Sequence, residues 1–121
     1  MIMCEHLIPA SSAFGTYHAK MIMCQELSDQ QIELIAARFR VLGEASRLKL
    51  IMALEEGAKN VSQLVEATSL SQSNASCHLR TLTDAGVLVR HREKTEVYYA
   101  VAVREIYGLI LKVSDNLAQR P

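Results

Sequence analysis

Apolar residues recur at helical spacing through most of the chain and change to strand-like runs only in its last third. Ser28, followed three positions later by Gln31, forms a capping box, and a helix is predicted from there to about Leu42. Its apolar stripe, Ile32, Ile35, Phe39 and Leu42, steps by three, four and three, a narrow seam suited to packing against another helix. After Gly43 a second helix starts near Ala45 or Ser46. It carries Leu48, Leu50, Ile51, Met52 and Leu54 around much of its circumference, so it is predicted to be buried, and it stops at Gly57. A short helix beginning at Ser62, with Leu64, Val65 and Ala67, ends around Thr68 to Leu70, where Ser71 caps the next. That next helix runs from Gln72 to about Ala85, turns Ala75, Leu79 and Leu82 inward, and terminates at Gly86. Two helices joined by so tight a turn form a helix-turn-helix.

From Val87 the period changes. Val87 to Arg92 and Glu96 to Val101 are β-branched and aromatic runs on either side of Glu93-Lys94-Thr95, which predicts a hairpin, or wing. A last helix from Val103 aligns Val103, Ile106, Ile110, Val113 and Leu117 on a second seam. The expected fold is mainly α with a small β-hairpin wing, a winged helix-turn-helix of order α-α-α-α-β-β-α. It is expected to dimerise through the first and last helices, with Ile32, Ile35, Phe39, Ile106, Ile110, Val113 and Leu117 at the interface. Residues 1–27, with Pro9 and no sustained period, are expected to be an N-terminal arm with a helical tendency near Ala19 to Glu26. The winged domain fills residues 28–121.

Composition narrows this picture. Half of the 121 residues are hydrophobic, with two prolines and five glycines, which excludes a disordered chain. Thirteen cations balance thirteen acids, so a globally basic nucleic-acid coat is excluded as well. The charge is uneven, however: residues 38–49 hold four cations against one acid, and residues 70–95 four against two. The longest apolar run, Val97 to Val103, is far short of the roughly 20 residues that cross a bilayer as a helix. The N-terminus lacks a basic region and carries Glu5 and Pro9, unlike a secretory signal. Three irregularly spaced cysteines, Cys4, Cys24 and Cys77, cannot close a disulfide framework. A cytoplasmic protein without membrane partners is expected.

On the second helix of the pair, burying Ala75, Leu79 and Leu82 leaves Gln72, Ser73, Ser76, Cys77 and Arg80 outward, where a major groove would meet them. Gln pairs with adenine N6 and N7, Arg with guanine O6 and N7, and Ser with either. Ser71 and the helix N-terminus suit a phosphate. Arg90, Arg92 and Lys94 on the wing add cations that can follow the backbone or enter the minor groove. A capped, solvated surface helix is the bland alternative for the same face.

Three ordered motifs carry a resemblance. The run Leu42-Gly43-Glu44-Ala45-Ser46-Arg47-Leu48-Lys49-Leu50-Ile51, then Leu70-Ser71-Gln72-Ser73-Asn74-Ala75-Ser76-Cys77-His78-Leu79, then Ala85-Gly86-Val87-Leu88 with Val97-Tyr98-Tyr99, resembles the ArsR/SmtB family of winged-helix repressors over about residues 28–119. The resemblance implies a homodimer that places two recognition helices in successive major grooves of a palindromic double-stranded operator and is released by an inducer. Ala45 and Ser46 stand where the family usually has Pro and Thr, and Lys94-Thr95 replace the usual wing-tip glycine.

Family members often sense metals, so the matching positions matter. Where one site type has Cys-x-Cys, this chain has Asn60 and Ser62; where another has carboxylates and imidazoles on the last helix, it has Val103, Glu105, Asn116 and Gln119. What remains is Cys4, His6, His18 and Cys24 in the arm and Cys77 on the recognition helix. Arm thiolates meeting a thiol of the partner subunit would suit a soft thiophilic metal or metalloid ion such as arsenite, cadmium or lead. Oxidation of Cys77 would instead push the helix off the groove, and a third reading leaves the thiols as small apolar groups without a sensing role. His78 reads as a structural hydrogen-bonding residue. No acid–base pair, nucleophile–base pair or glycine-rich phosphate loop suggests an enzyme. The rival function is a winged-helix module for protein interaction.

Overall fold

The structure, a computed structural model, describes residues 26–119. Of the unit Met1–Ala36, the described part holds the start of α1 (Asp29–Leu42). There Gln31 N–H donates to Ser28 Oγ at 3.1 Å and Ser28 N–H to Gln31 Oε1 at 2.8 Å, which is the reciprocal cap expected from the sequence. The arm residues, including the helical tendency near Ala19, lie outside the described residues up to Gln25.

The unit Ala37–Pro121 contains the rest of α1, α2 (Ala45–Ala53), β1 (Lys59–Asn60), α3 (Val61–Thr68), α4 (Gln72–Asp84), β2 (Leu88–Glu93), β3 (Glu96–Val101) and α5 (Glu105–Ala118). Leu50, Ile51, Leu54, Leu64, Ala75, Leu79, Leu82, Val87 and Leu88 form a core with almost no exposed surface, to which Leu42, Val101, Ile106 and Tyr107 add. Burying each leucine, isoleucine and valine of this core contributes about 1.5–3 kcal/mol. The winged helix-turn-helix expectation holds, with five helices and a small antiparallel sheet among the described residues.

Several details differ from the sequence reading. The sheet has a third strand: β1 pairs antiparallel with β3, Lys59 opposite Tyr99 and Asn60 opposite Tyr98, giving the order β1-β3-β2. Two residues are too short to leave a periodic signal. The short helix begins at Val61, because Asn60, not Ser62, supplies the cap: its side chain accepts from Gln63 N–H while Gln63 Oε1 accepts from Asn60 N–H, both at 2.9 Å. α2 ends at Ala53, and a turn closed by Gly57 N–H on Leu54 C=O carries the chain to Gly57. α5 starts at Glu105 rather than Val103, since Ala102 N–H is still tied to Val87 C=O at 2.8 Å and the chain bends there before the helix begins.

The predicted seam on the last helix divides. Ile106 is buried in the protomer's own core and Ile110 is partly buried against it. Leu109, Leu111, Val113 and Leu117 are exposed instead, the last at 58%. On α1, Ile32, Ile35 and Phe39 are exposed.

Candidate nucleic-acid interface

The recognition helix is fixed from both ends. At its start Ser71 Oγ accepts from Asn74 N–H at 3.1 Å, so the hydroxyl that the sequence offered to a phosphate is engaged as the cap. At its end Gly86 takes φ 82°, a left-handed conformation natural to glycine, and Arg38 Nη2 donates to Ala85 C=O at 3.0 Å. Arg47 holds the middle: its Nε donates to His78 Nδ1 at 3.3 Å and its Nη1 to Val41 C=O at 2.8 Å. On the other side of the ring, His78 Nε2 faces Glu44 Oε1 at 3.9 Å. His78 thus joins α4 to the N-terminus of α2 and has the hydrogen-bonding role read for it.

These contacts reassign charge. Arg38 and Arg47, half of the cations in the basic stretch 38–49, are hydrogen-bonded to the end and the middle of the recognition helix. Arg40 and Lys49 of the same stretch are exposed, as are Arg80 on α4 and Arg90, Arg92 and Lys94 on the wing.

On α4 the division is clean. Ala75, Leu79 and Leu82 are fully buried, while Gln72, Ser73, Ser76, Cys77 and Arg80 are exposed. Asn74, which the sequence reading did not place among the outward residues, is exposed beside them, and an exposed amide near a helix N-terminus is itself a base-pairing group. Cys77 has an exposed thiol, and its carbonyl accepts from Thr81 Oγ1 at 3.3 Å.

The wing is a two-residue hairpin in which Glu93 pairs with Glu96 and Lys94-Thr95 form the loop. Lacking a glycine, the loop puts Lys94 at φ 60°. Leu88 pairs with Val101, Arg90 with Tyr99 and Arg92 with Val97, so by strand alternation Arg90 and Arg92 share the face on which Leu88 and Val101 are buried. That face runs past the core, and its next position, Arg90, turns toward α4. The opposite face carries His91 stacked on Tyr98, ring centroids 5.9 Å apart. Ser76, Arg80, Thr83, Asp84, Arg90 and Tyr99 line a polar cleft of about 480 Å³ between helix and wing. Arg92 and Lys94 lie exposed on the outer wing.

The thiol and imidazole set is not brought together among the described residues, where no three His, Cys, Asp or Glu side chains converge on a metal-sized site. Asn60 caps α3 and donates from Nδ2 to Glu96 Oε1, which is structural work. Cys4, His6, His18 and Cys24 lie outside the described residues. No helix among the described residues is long and apolar enough to cross a membrane.

Comparison with known proteins agrees with this geometry. Residues 44–89, from the cap of α2 into the wing, match the family model described as bacterial regulatory protein, arsR family. The chain is 31% identical over 74 residues to the arsenical resistance operon repressor of Bacillus subtilis, covering 60% of this chain and 70% of that one. It is 30% identical over 84 residues to a probable mercury resistance operon repressor of Streptomyces lividans, covering 66% and 67%. Among solved structures it is similar to the homodimeric winged helix-turn-helix DNA-binding domain of a possible ArsR-family transcriptional regulator from Mycobacterium bovis. That likeness has a TM-score of 0.68 at 25% identity, over 77% of this chain and 92% of that one.

Proposed function

The chain belongs to the arsR family of bacterial regulatory proteins, and from that premise we propose that it is a cytoplasmic transcriptional repressor which binds a palindromic operator as a homodimer and is released by an inducer. One observation carries the proposal: α4 buries one face completely and exposes polar groups along the other, beside a wing that turns two arginines to the same side. That arrangement fits major-groove reading by Gln72, Ser73, Asn74, Ser76 and Cys77, with Arg80, Arg90, Arg92 and Lys94 supplying positive charge. The test is selection of duplexes from a random library by the purified full chain. The expected product is an inverted repeat with half-sites about 34–36 Å apart, bound with an affinity that falls steeply as salt rises. Failure to enrich any sequence, with salt-independent pull-down of a protein in its place, would favour a protein-interaction module.

For release, relatives named for arsenical and mercury resistance make a soft thiophilic ion the inducer class to try first. The groups that would bind it are Cys4, Cys24 and Cys77, with His6 and His18. The described residues alone do not form such a site, so the arm would have to contribute. Arsenite, cadmium and lead titrated against the operator complex should release wild-type protein and leave the triple cysteine-to-serine variant bound. Equal release from both removes the thiols from the mechanism.

A further inference from the structure

The cleft between α4 and β2 differs in chemistry from the stripe that faces the groove. Arg80 lies about two turns beyond Gln72 along α4, past the N-terminal positions from which recognition helices usually reach base edges. Arg90 lies on the inner face of β2, so two arginines line one concavity together with Ser76 and Tyr99. Neither arginine makes a hydrogen bond or ion pair with a described residue, whereas Arg38, Arg47 and Arg104 each hold a backbone carbonyl. Thr83 Oγ1, also in the lining, is buried without a partner. Asp84 is the one acid of the lining, which leaves a net charge of one positive unit from two arginines and one aspartate. A phosphodiester carries one negative charge and accepts hydrogen bonds from several directions; a guanine edge needs a single arginine fork lying in the base plane.

We infer that Arg80 and Arg90 together seat one phosphodiester of the DNA backbone, so that Arg80 sets the register of the recognition helix on the duplex and does not read guanine. The inference rests on the DNA-binding reading above and replaces the guanine contact that the sequence alone suggested for Arg80. Sequence preference then resides in the first turns of α4, at Gln72, Ser73, Asn74 and Cys77.

The experiment measures affinity by fluorescence anisotropy for the duplex that wild-type protein enriches and for a scrambled duplex of equal composition, over a range of salt. The variants are Arg80→Ala, Arg80→Lys, Arg90→Ala and the Arg80/Arg90 double alanine, each checked for folding by circular dichroism. Both side chains are exposed and unbonded, so the fold should persist. Each alanine variant should weaken both duplexes by the same factor, and the double variant should lower the salt slope by about 1 per protomer. Arg80→Lys should retain most affinity on both duplexes, since an ammonium still pairs with a phosphate as a point charge. Asp84→Asn should tighten both duplexes equally. A drop of about tenfold or more in the preference for the enriched duplex in Arg80→Ala or Arg80→Lys would overturn the inference, because that is the loss expected of a base contact. Wild-type protein that enriches no duplex would overturn the DNA-binding reading itself, and the phosphate seat with it.

Discussion

Lys94 occupies a backbone position for which its side chain is ill suited. The two-residue loop between Glu93 and Glu96 requires a left-handed residue, and Lys94 supplies it at φ 60°, a conformation that costs a non-glycine residue roughly 1–2 kcal/mol. Lys94→Gly should therefore stabilise the protein by about 0.5–1 kcal/mol in urea denaturation. Thr95→Gly, at a position without positive φ, should give no gain; equal effects at both positions would mean that the loop strain is misplaced. The same substitution removes a wing-tip cation, so weaker DNA binding by a more stable protein would separate the electrostatic role of Lys94 from its conformational one. At this scale the sequence was informative about chemistry and silent about conformation: the missing glycine was visible, but which of two residues bears the strain depended on the hairpin register.

Among the elements, α5 shows how one side chain docks a helix. Tyr107 is buried, its hydroxyl donates to Ile51 C=O in α2, and the Arg104 guanidinium lies 5.0 Å from its ring centroid. Burial raises the phenol above its usual range near 10, partly opposed by the charge of Arg104 and reinforced by Glu55. The folded chain therefore holds this proton more tightly than the unfolded chain does. Its contribution to stability is complete below pH about 10 and is lost as pH rises through the folded value. Tyr107→Phe should cost about 1 kcal/mol at neutral pH and should flatten the alkaline limb of a stability–pH curve. The neutral-pH loss stays modest because Ile51 C=O also accepts from Leu54 N–H. An unchanged alkaline limb would assign that loss of stability to other groups. The boundaries of α3 and α5 were misplaced in the sequence reading for a related reason: Asn60 and Ala102 are each tied to a neighbour in the sheet or cap, a constraint that local periodicity does not carry.

For the whole molecule, the apolar surface left on α5 bears on assembly. Leu109, Leu111, Val113 and Leu117 are exposed on a helix whose other side packs on the core through Ile106 and Tyr107. A second copy of the chain covering this surface is consistent with the homodimeric relative. Val113→Glu together with Leu117→Glu should leave the melting curve of the protomer largely intact, since both side chains are about half exposed, and should shift sedimentation from dimer to monomer. Operator affinity should fall with it, because the two half-sites would no longer be bound as a unit. A dimer that persists in the double variant would move the interface away from the C-terminal half of α5. Ile106→Glu is the contrasting control: it buries a charge in the protomer core and should unfold it.

The sequence by itself determined the winged helix-turn-helix, because amphipathic spacing, serine caps and the hairpin run are local signals that agree with one another. It also determined the polar face of α4, since burying Ala75, Leu79 and Leu82 leaves Gln72, Ser73, Ser76, Cys77 and Arg80 no other direction. Only the tertiary structure decided which arginines are bonded within the fold and which are not. Arg38, Arg47 and Arg90 look alike along the chain, yet the first two are spent on a helix end and a histidine, while the third lines a cleft with Arg80. Such pairings join residues distant in sequence, through the packing of helices against a sheet edge, and leave no periodicity by which a reader of the chain could find them.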